Sequence, residues 1–175
     1  GNNHILLAAK DGKAIRFPEK LVRAIGRTGS GVRGMSLSKG DEVIGMVCVE
    51  ENELKDILVV SENGFGKRSK LEDYRVTNRG GKGVKTIGIS PKTGKLISIK
   101  VVDENNDLMI INRSGLTIRL RVSELRVTGR ATQGVKLINL KKNDSIAAIA
   151  NVESSEEERD EQIVDEFDNI DNSEE

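Results

Sequence analysis

Apolar residues in this chain come in short runs that end at glycine-bearing turns, and they hold no sustained helical period. Runs at residues 4–9, 56–60 and 107–111 each close on a turn: Lys10-Asp11-Gly12, Glu62-Asn63-Gly64 and Arg113-Ser114-Gly115. Asp-Gly and Asn-Gly favour tight hairpins because glycine adopts positive φ without a steric penalty, so each run predicts a strand followed by a return strand. A mostly polar stretch comes next, and then two further apolar runs, as at 84–89 and 96–102, joined by Ser90-Pro91-Lys92-Thr93-Gly94. The turn glycines lie 52 and 51 residues apart. Four strands in each unit of about fifty residues describe a propeller blade. The expected fold is therefore all-β, with about three four-stranded blades over residues 1–152, their repeats falling near 4–55, 56–106 and 107–152.

Charge repeats in step with the hydrophobic pattern. From each turn glycine, arginines follow four residues on (Arg16, Arg68, Arg119), eleven on (Arg23, Arg75, Arg126) and fifteen on (Arg27, Arg79, Arg130). A Gly-Val-basic element then ends each series at Arg33, Lys85 and Lys136. A buried core gives no reason to repeat arginine, whereas guanidinium forks suit phosphate because they form bidentate, charge-assisted hydrogen bonds. These twelve residues, with Lys67 and Lys82, form the candidate polyanion-binding set. The competing reading makes some of them structural, pairing with acids or capping turn carbonyls; no acid is expected in register with all of them. The segment Arg79-Gly80-Gly81-Lys82-Gly83 stands out, since its glycines would free backbone N–H groups to approach a phosphate. It lacks the Lys-Ser/Thr pair of a P-loop, and it also reads as a tight basic loop.

Net charge hides an asymmetry. Residues 1–152 hold 27 basic against 16 acidic residues, a net +11, while 153–175 hold twelve acids against Arg159, a net −11. A basic body with an acidic tail is a pattern of nucleic-acid binders. The tail is expected to stay disordered, because Ile163, Val164, Phe167 and Ile170 offer too little apolar area to offset ordering. Only Phe17, Phe65, Phe167 and Tyr74 are aromatic, so the core must be aliphatic. The lone Cys48 sits in an apolar run and reads as a buried small hydrophobe, consistent with a reducing compartment. His4, the only histidine, reads as an ordinary surface or edge-strand residue, and no His-based metal site or triad can be assembled. Tyr74 stands where the other copies have Val22 and Leu125, which predicts core packing rather than a nucleophile. No apolar stretch is long enough for a helical membrane span, and no cofactor motif is present.

The Gly-x-x-x-Arg element, Tyr74-Arg75 and Arg79-Gly80-Gly81-Lys82-Gly83-Val84 together resemble the C-terminal domain of bacterial DNA gyrase A. The last five positions of its Gln-Arg-Arg-Gly-Gly-Lys-Gly signature match, with Thr77-Asn78 in place of Gln-Arg. The resemblance covers residues 4 to about 152, and the acidic tail fits by composition. It implies a β-pinwheel, whose hairpins cross between neighbouring blades, with duplex DNA wrapped on a basic outer rim in support of negative supercoiling. Its implied partners are the gyrase A N-terminal region and gyrase B, and its implied location is the bacterial cytoplasm, with the catalytic tyrosine and ATPase outside this chain. The family domain has about six blades and carries its full signature in the first, so three blades with a partial box look like its C-terminal half. Such a half ring exposes unpaired edges that invite pairing with a second copy. The equivalent domain of topoisomerase IV, or a propeller that binds an acidic protein, are the alternative readings. A tail of −11 tethered to a body of +11 is also expected to compete with DNA for the rim.

Overall fold

The computed structural model describes residues 1–50 and 55–153. Each repeat opens with the expected hairpin: β1 (Asn3–Ala9) with β2 (Lys13–Pro18), β4 (Asp56–Ser61) with β5 (Phe65–Lys70), and β8 (Asn106–Asn112) with β9 (Thr117–Arg121). A later strand returns antiparallel to the first one of its own repeat: β3 (Val43–Glu50) on β1, β7 (Leu96–Val102) on β4 and β11 (Ile146–Glu153) on β8.

The fourth strand of a blade comes from the next repeat. Strand β6 (Val84–Lys85) leaves repeat two to pair with β2 of repeat one, setting Ala14 opposite Val84 and Lys13 opposite Lys85. Strand β10 (Val135–Lys136) does the same on β5, opposite Gly66 and Phe65. The sheets therefore run β3-β1-β2-β6, β7-β4-β5-β10 and β11-β8-β9. This exchange between neighbouring blades is the pinwheel arrangement that the resemblance implies. The run 84–89 is a two-residue strand rather than the full one its apolarity suggests. Beyond Lys85 the chain crosses between blades, where the N–H groups of Thr86 and Ile87 donate to Gly12 O and that of Gly88 to Thr132 O.

The cores lie between blades. Strand β4 is buried along its whole length: Ile57 and Val59 join Leu6, Ala8, Val49, Tyr74 and Leu96 on one side, while Leu58 and Val60 join Leu108, Ile110, Val122 and Ile138 on the other. Period-two alternation in a central strand thus feeds two aliphatic cores. Two expectations fail here. Cys48 is exposed, because on β3 it shares the outward face with Met46 and Glu50 while Val47 and Val49 face inward. His4 is buried, because β1 lies inside its sheet. The acidic stretch beyond Glu153 lies outside the described residues, and so does the expectation that it is disordered.

Candidate nucleic-acid interface

The first arginine of the series turns inward in the first two blades. Arg16 is buried; its Nε and Nη2 donate to His4 Nδ1 at 3.2 and 2.8 Å, and its Nη1 donates to Leu71 O at 3.0 Å, in the next blade. Arg68 is buried likewise, with Nη1 on Val122 O at 3.1 Å and Nη2 on Glu104 Oε1 at 3.1 Å. Its Nε lies 3.2 Å from Asp56 Oδ2, near enough for an ion pair but not aligned for a hydrogen bond. In the last blade Arg119 pairs with Asp107 at 2.6 Å but stays exposed, so burial does not remove it from the candidate set. The partners His4, Asp56 and Asp107 each stand twelve residues before their arginine. Two acids do repeat in register, contrary to expectation, and their spacing carried the signal. Lys67 is also buried, donating to Gly129 O at 2.6 Å, and desolvation pushes its ammonium down to about 8. Burial removes Arg16, Lys67 and Arg68 from the candidate contact set.

The third arginine points backward and is shared between roles. Arg79 donates from Nε to Leu21 O at 3.0 Å and from Nη1 to Arg33 O at 2.9 Å, and Arg130 donates to Lys85 O at 2.9 Å. Both stay half-exposed, and Arg27 in the first blade is exposed. The glycines beside Arg79 serve the same joint. Gly80 N–H donates to Gly34 O at 2.6 Å, and Gly83, at φ +73°, would place a Cβ 2.5 Å from Ala14 O. Close packing of blade on blade requires the glycine at 83, a stronger demand than leaving N–H groups free for phosphate.

The second arginine is the outward one. A 3₁₀ turn (Glu19–Leu21, Leu71–Asp73, Val122–Glu124) is closed by the N–H of Val22, Tyr74 or Leu125, and the next residue is Arg23, Arg75 or Arg126. All three are exposed, and none makes a hydrogen bond or ion pair to the described residues. Arg33, Lys82, Lys85 and Lys136 are exposed as well. Arg75 and Lys82 flank a groove of about 190 Å³ whose walls include Thr77, Asn78, Gly81 and Gly83. A second recess of about 310 Å³ lies beside Phe65 and brings Lys136 together with Lys92 and Lys141, which sequence reasoning missed because loop lysines carry no periodic signal. The Lys92 ammonium sits 5.3 Å from the Phe65 ring centroid. Tyr74 is core, as expected: its hydroxyl meets Thr86 Oγ1, and desolvation holds the phenol up at about 12.

A strand-exchanged, three-blade sheet set with a periodic arginine edge has a matching family. The model described as "DNA gyrase C-terminal domain, beta-propeller" fits residues 3–50, 55–103 and 106–153, one match per repeat. The chain belongs to that family. The DNA gyrase A protein of Staphylococcus aureus (strain MRSA252) is 43% identical over 164 residues, 93% of this chain and 18% of that protein. Its counterpart from strain NCTC 8325 / PS 47 is 42% identical over 158 residues, 90% of this chain and 18% of that protein. A solved DNA gyrase A C-terminal domain superposes with a TM-score of 0.78 at 26% identity, covering 86% of this chain and 50% of that one. The C-terminal domain of DNA topoisomerase IV shares the fold, with a TM-score of 0.81 at 21% identity, over 87% of this chain and 47% of that one. This member of the gyrase C-terminal family thus spans under a fifth of its curated relatives and about half of the solved domains. Among its described residues, no helix is long and apolar enough to cross a membrane.

Proposed function

We propose that this chain binds duplex DNA on the edge marked by Arg23, Arg75 and Arg126, without sequence preference, as part of a DNA-wrapping module of a bacterial, cytoplasmic gyrase. The observation that carries the reading is the repetition of one exposed, uncommitted arginine at the same place after the same turn in three successive blades. Arg33, Lys85 and Lys136 extend the basic edge, Lys82 adds charge at the groove beside Arg75, and the exposed parts of Arg27, Arg79 and Arg130 stand next to it. Contacts of this kind position phosphates and carry no base readout, and they need no cofactor. In the intact enzyme, the gyrase A N-terminal region and gyrase B would supply the catalytic tyrosine and the ATPase, and this segment would act as a non-catalytic arm that supports negative supercoiling. The identity to gyrase A over nearly the whole chain favours this assignment over topoisomerase IV, where the likeness is one of fold.

Fluorescence anisotropy with a labelled duplex across a salt series tests it. With about five phosphates neutralised, log K falls against log salt with a slope near −4 to −5. Replacing Arg23, Arg75 and Arg126 together by alanine removes about three units of that slope, since each phosphate contact contributes about one. A slope near zero, or one untouched by the triple replacement, overturns the rim.

A further inference from the structure

Two neighbouring loops divide their charge in opposite ways. In repeat two the loop reads Arg79-Gly80-Gly81-Lys82-Gly83, and in repeat three Arg130-Ala131-Thr132-Gln133-Gly134, so Gln133 stands where Lys82 stands. Beneath the loops the exchange is reversed. Ile15 lies under the first, its Cδ1 3.4 Å from where a Cβ on Gly81 would be, and the same position of the next blade holds Lys67. The joint between blades one and two carries its lysine on the loop, and the joint between blades two and three carries it below. We propose, on the DNA reading given above, that Lys67 is a positioning residue for DNA binding. Its buried ammonium pins the loop that bears Arg126 and Arg130, and supplies from below the positive charge that Lys82 supplies at the surface of the other loop.

The shape of this loop depends on one carbonyl. Gly129 O accepts from Lys67 Nζ at 2.6 Å, from Thr132 Oγ1 at 3.0 Å and from Thr132 N–H at 3.2 Å. Thr132 closes the turn on itself, whereas Lys67 ties it to β5, beside the bond from Thr128 N–H to Arg68 O at 2.8 Å. Arg126 stands shortly before this carbonyl and Arg130 directly after it, so the placing of both follows the tether. Gly129, Ala131, Thr132 and Gln133 are exposed, while Lys67 is 2% exposed. The ammonium thus lies just under the surface that a phosphate would meet, where a low dielectric lets its charge act more strongly than in water. Ile15 and Ile118 show that an aliphatic side chain fills this position in the same chain. A charge kept there at a cost in stability points to use rather than to packing.

The surroundings of Lys67 make it respond to a bound anion. Val59 lies opposite it on β4, Gly134 lies against its stem, and Ser69 Oγ accepts its second bond at 3.2 Å. Next to Ser69 stands Tyr74, whose hydroxyl meets Thr86 Oγ1; this phenol, held up at about 12, is neutral wherever Lys67 titrates. Burial is the chief cause that brings the ammonium down to about 8. Among the described residues, Asp73 in the 3₁₀ turn attracts it and Arg130 on the loop repels it. A phosphate on Arg130 adds negative charge on that side, favours the ammonium and draws a proton onto Lys67. By linkage, affinity is then highest below about 8 and falls as pH rises through that value.

Fluorescence anisotropy of the full chain with a labelled duplex, near pH 7 and near pH 9.5, tests the role. Lys67→Ile is expected to weaken binding about fivefold or more near neutral pH, while its unfolding temperature stays level or rises. Lys67→Met, which keeps the unbranched stem, is the second uncharged variant. Parent affinity should fall towards that of the uncharged variants near pH 9.5, every other titrating group being common to these chains. Adding Gln133→Lys to Lys67→Ile gives this loop the arrangement of the other one. Affinity should then recover at neutral pH and lose the extra fall with pH, because an exposed lysine keeps its charge to about 10.4. Uncharged variants that bind as tightly as the parent, or that share its pH dependence, overturn the role of Lys67 and leave the rim standing. So does a double variant that recovers nothing. Absence of salt-dependent binding in the parent overturns the rim, and this role with it.

Discussion

The joint between blades one and two and the joint between blades two and three share a backbone and differ in their side chains. Thr77 N–H donates to Arg16 O at 2.9 Å in the first, and Thr128 N–H to Arg68 O at 2.8 Å in the second; Thr86 N–H meets Gly12 O and Leu137 N–H meets Gly64 O, both at 2.8 Å. Around these repeated bonds the chemistry diverges. In the first joint Arg16 donates to the His4 imidazole, and Ile15 is buried beside it. The second holds its arginine between Asp56 and Glu104, and it buries Lys67 at the position of Ile15. Backbone donors fix the pinwheel, and the side chains set how much charge each joint confines.

The largest difference should come from removing the two arginines. Arg68→Ala leaves a buried carboxylate at Asp56 with, among the described residues, the exposed Lys70 3.1 Å away, and strips Val122 O of its donor. Breaking a buried pair from one side costs about 3 kcal/mol or more. Arg16→Ala removes the donor to the His4 ring and to the Leu71 and Tyr74 carbonyls, bonds whose loss costs about 1–2 kcal/mol. Urea unfolding of both variants tests the ordering, and equal losses would show that the charge at the second joint does not matter.

Lys67 sharpens the comparison in the opposite direction. Its ammonium lies well below the ordinary 10.5, at about 8, because burial outweighs the attraction of Asp73. With the folded value depressed, its favourable contribution is complete above about 10.5 and is lost as pH falls through about 8, so near neutral pH the charged lysine weighs against folding. Lys67→Ile restores the residue type found at Ile15 and Ile118. A shift of this size corresponds to roughly 3 kcal/mol, and lost hydrogen bonds to Gly129 and Ser69 offset part of it, leaving a gain of about 1 kcal/mol at neutral pH. The gain should shrink as pH approaches about 10, because the parent chain then discharges its lysine on folding. Denaturation at the two pH values decides, and a gain independent of pH would remove desolvation as the cause.

Legibility from sequence follows the same division. The hairpins were readable because apolar runs ending in Asp-Gly or Asn-Gly leave little choice of element, and repetition exposed the blades. Strand exchange was not readable from the residues themselves: the apolar run 84–89 looks like one whole strand, and only contact with the preceding blade cuts it to Val84–Lys85. The arginines misled for a physical reason. A repeated charge looks like a repeated ligand, yet a guanidinium can also span two blades by donating to their carbonyls, as Arg16 and Arg68 do. Of the three series, the second keeps its outward role in every blade; the partner twelve residues upstream sets the first series apart in the sequence, and nothing comparable separates the second from the third.

His4 gives the smallest expected effect and the most specific one. Copies two and three place Asp56 and Asp107 against their arginines, and His4 holds that register in copy one with an Nδ1 acceptor, which is therefore unprotonated. His4→Asp replaces a neutral acceptor with a carboxylate. Hydrogen bonds to charged groups contribute about 1.5–3 kcal/mol against 0.5–1.5 for neutral ones, so a stabilisation of about 1 kcal/mol at neutral pH is expected. A carboxylate facing Arg16 would have its folded pKa depressed, and the gain would be complete above the unfolded value of about 3.9 and lost as pH falls through the folded one. Thermal unfolding at neutral and acidic pH measures both the gain and its loss. If His4→Asp destabilises the chain at neutral pH, the imidazole is held for its packing against the strand, and the two joints differ in shape as well as in charge.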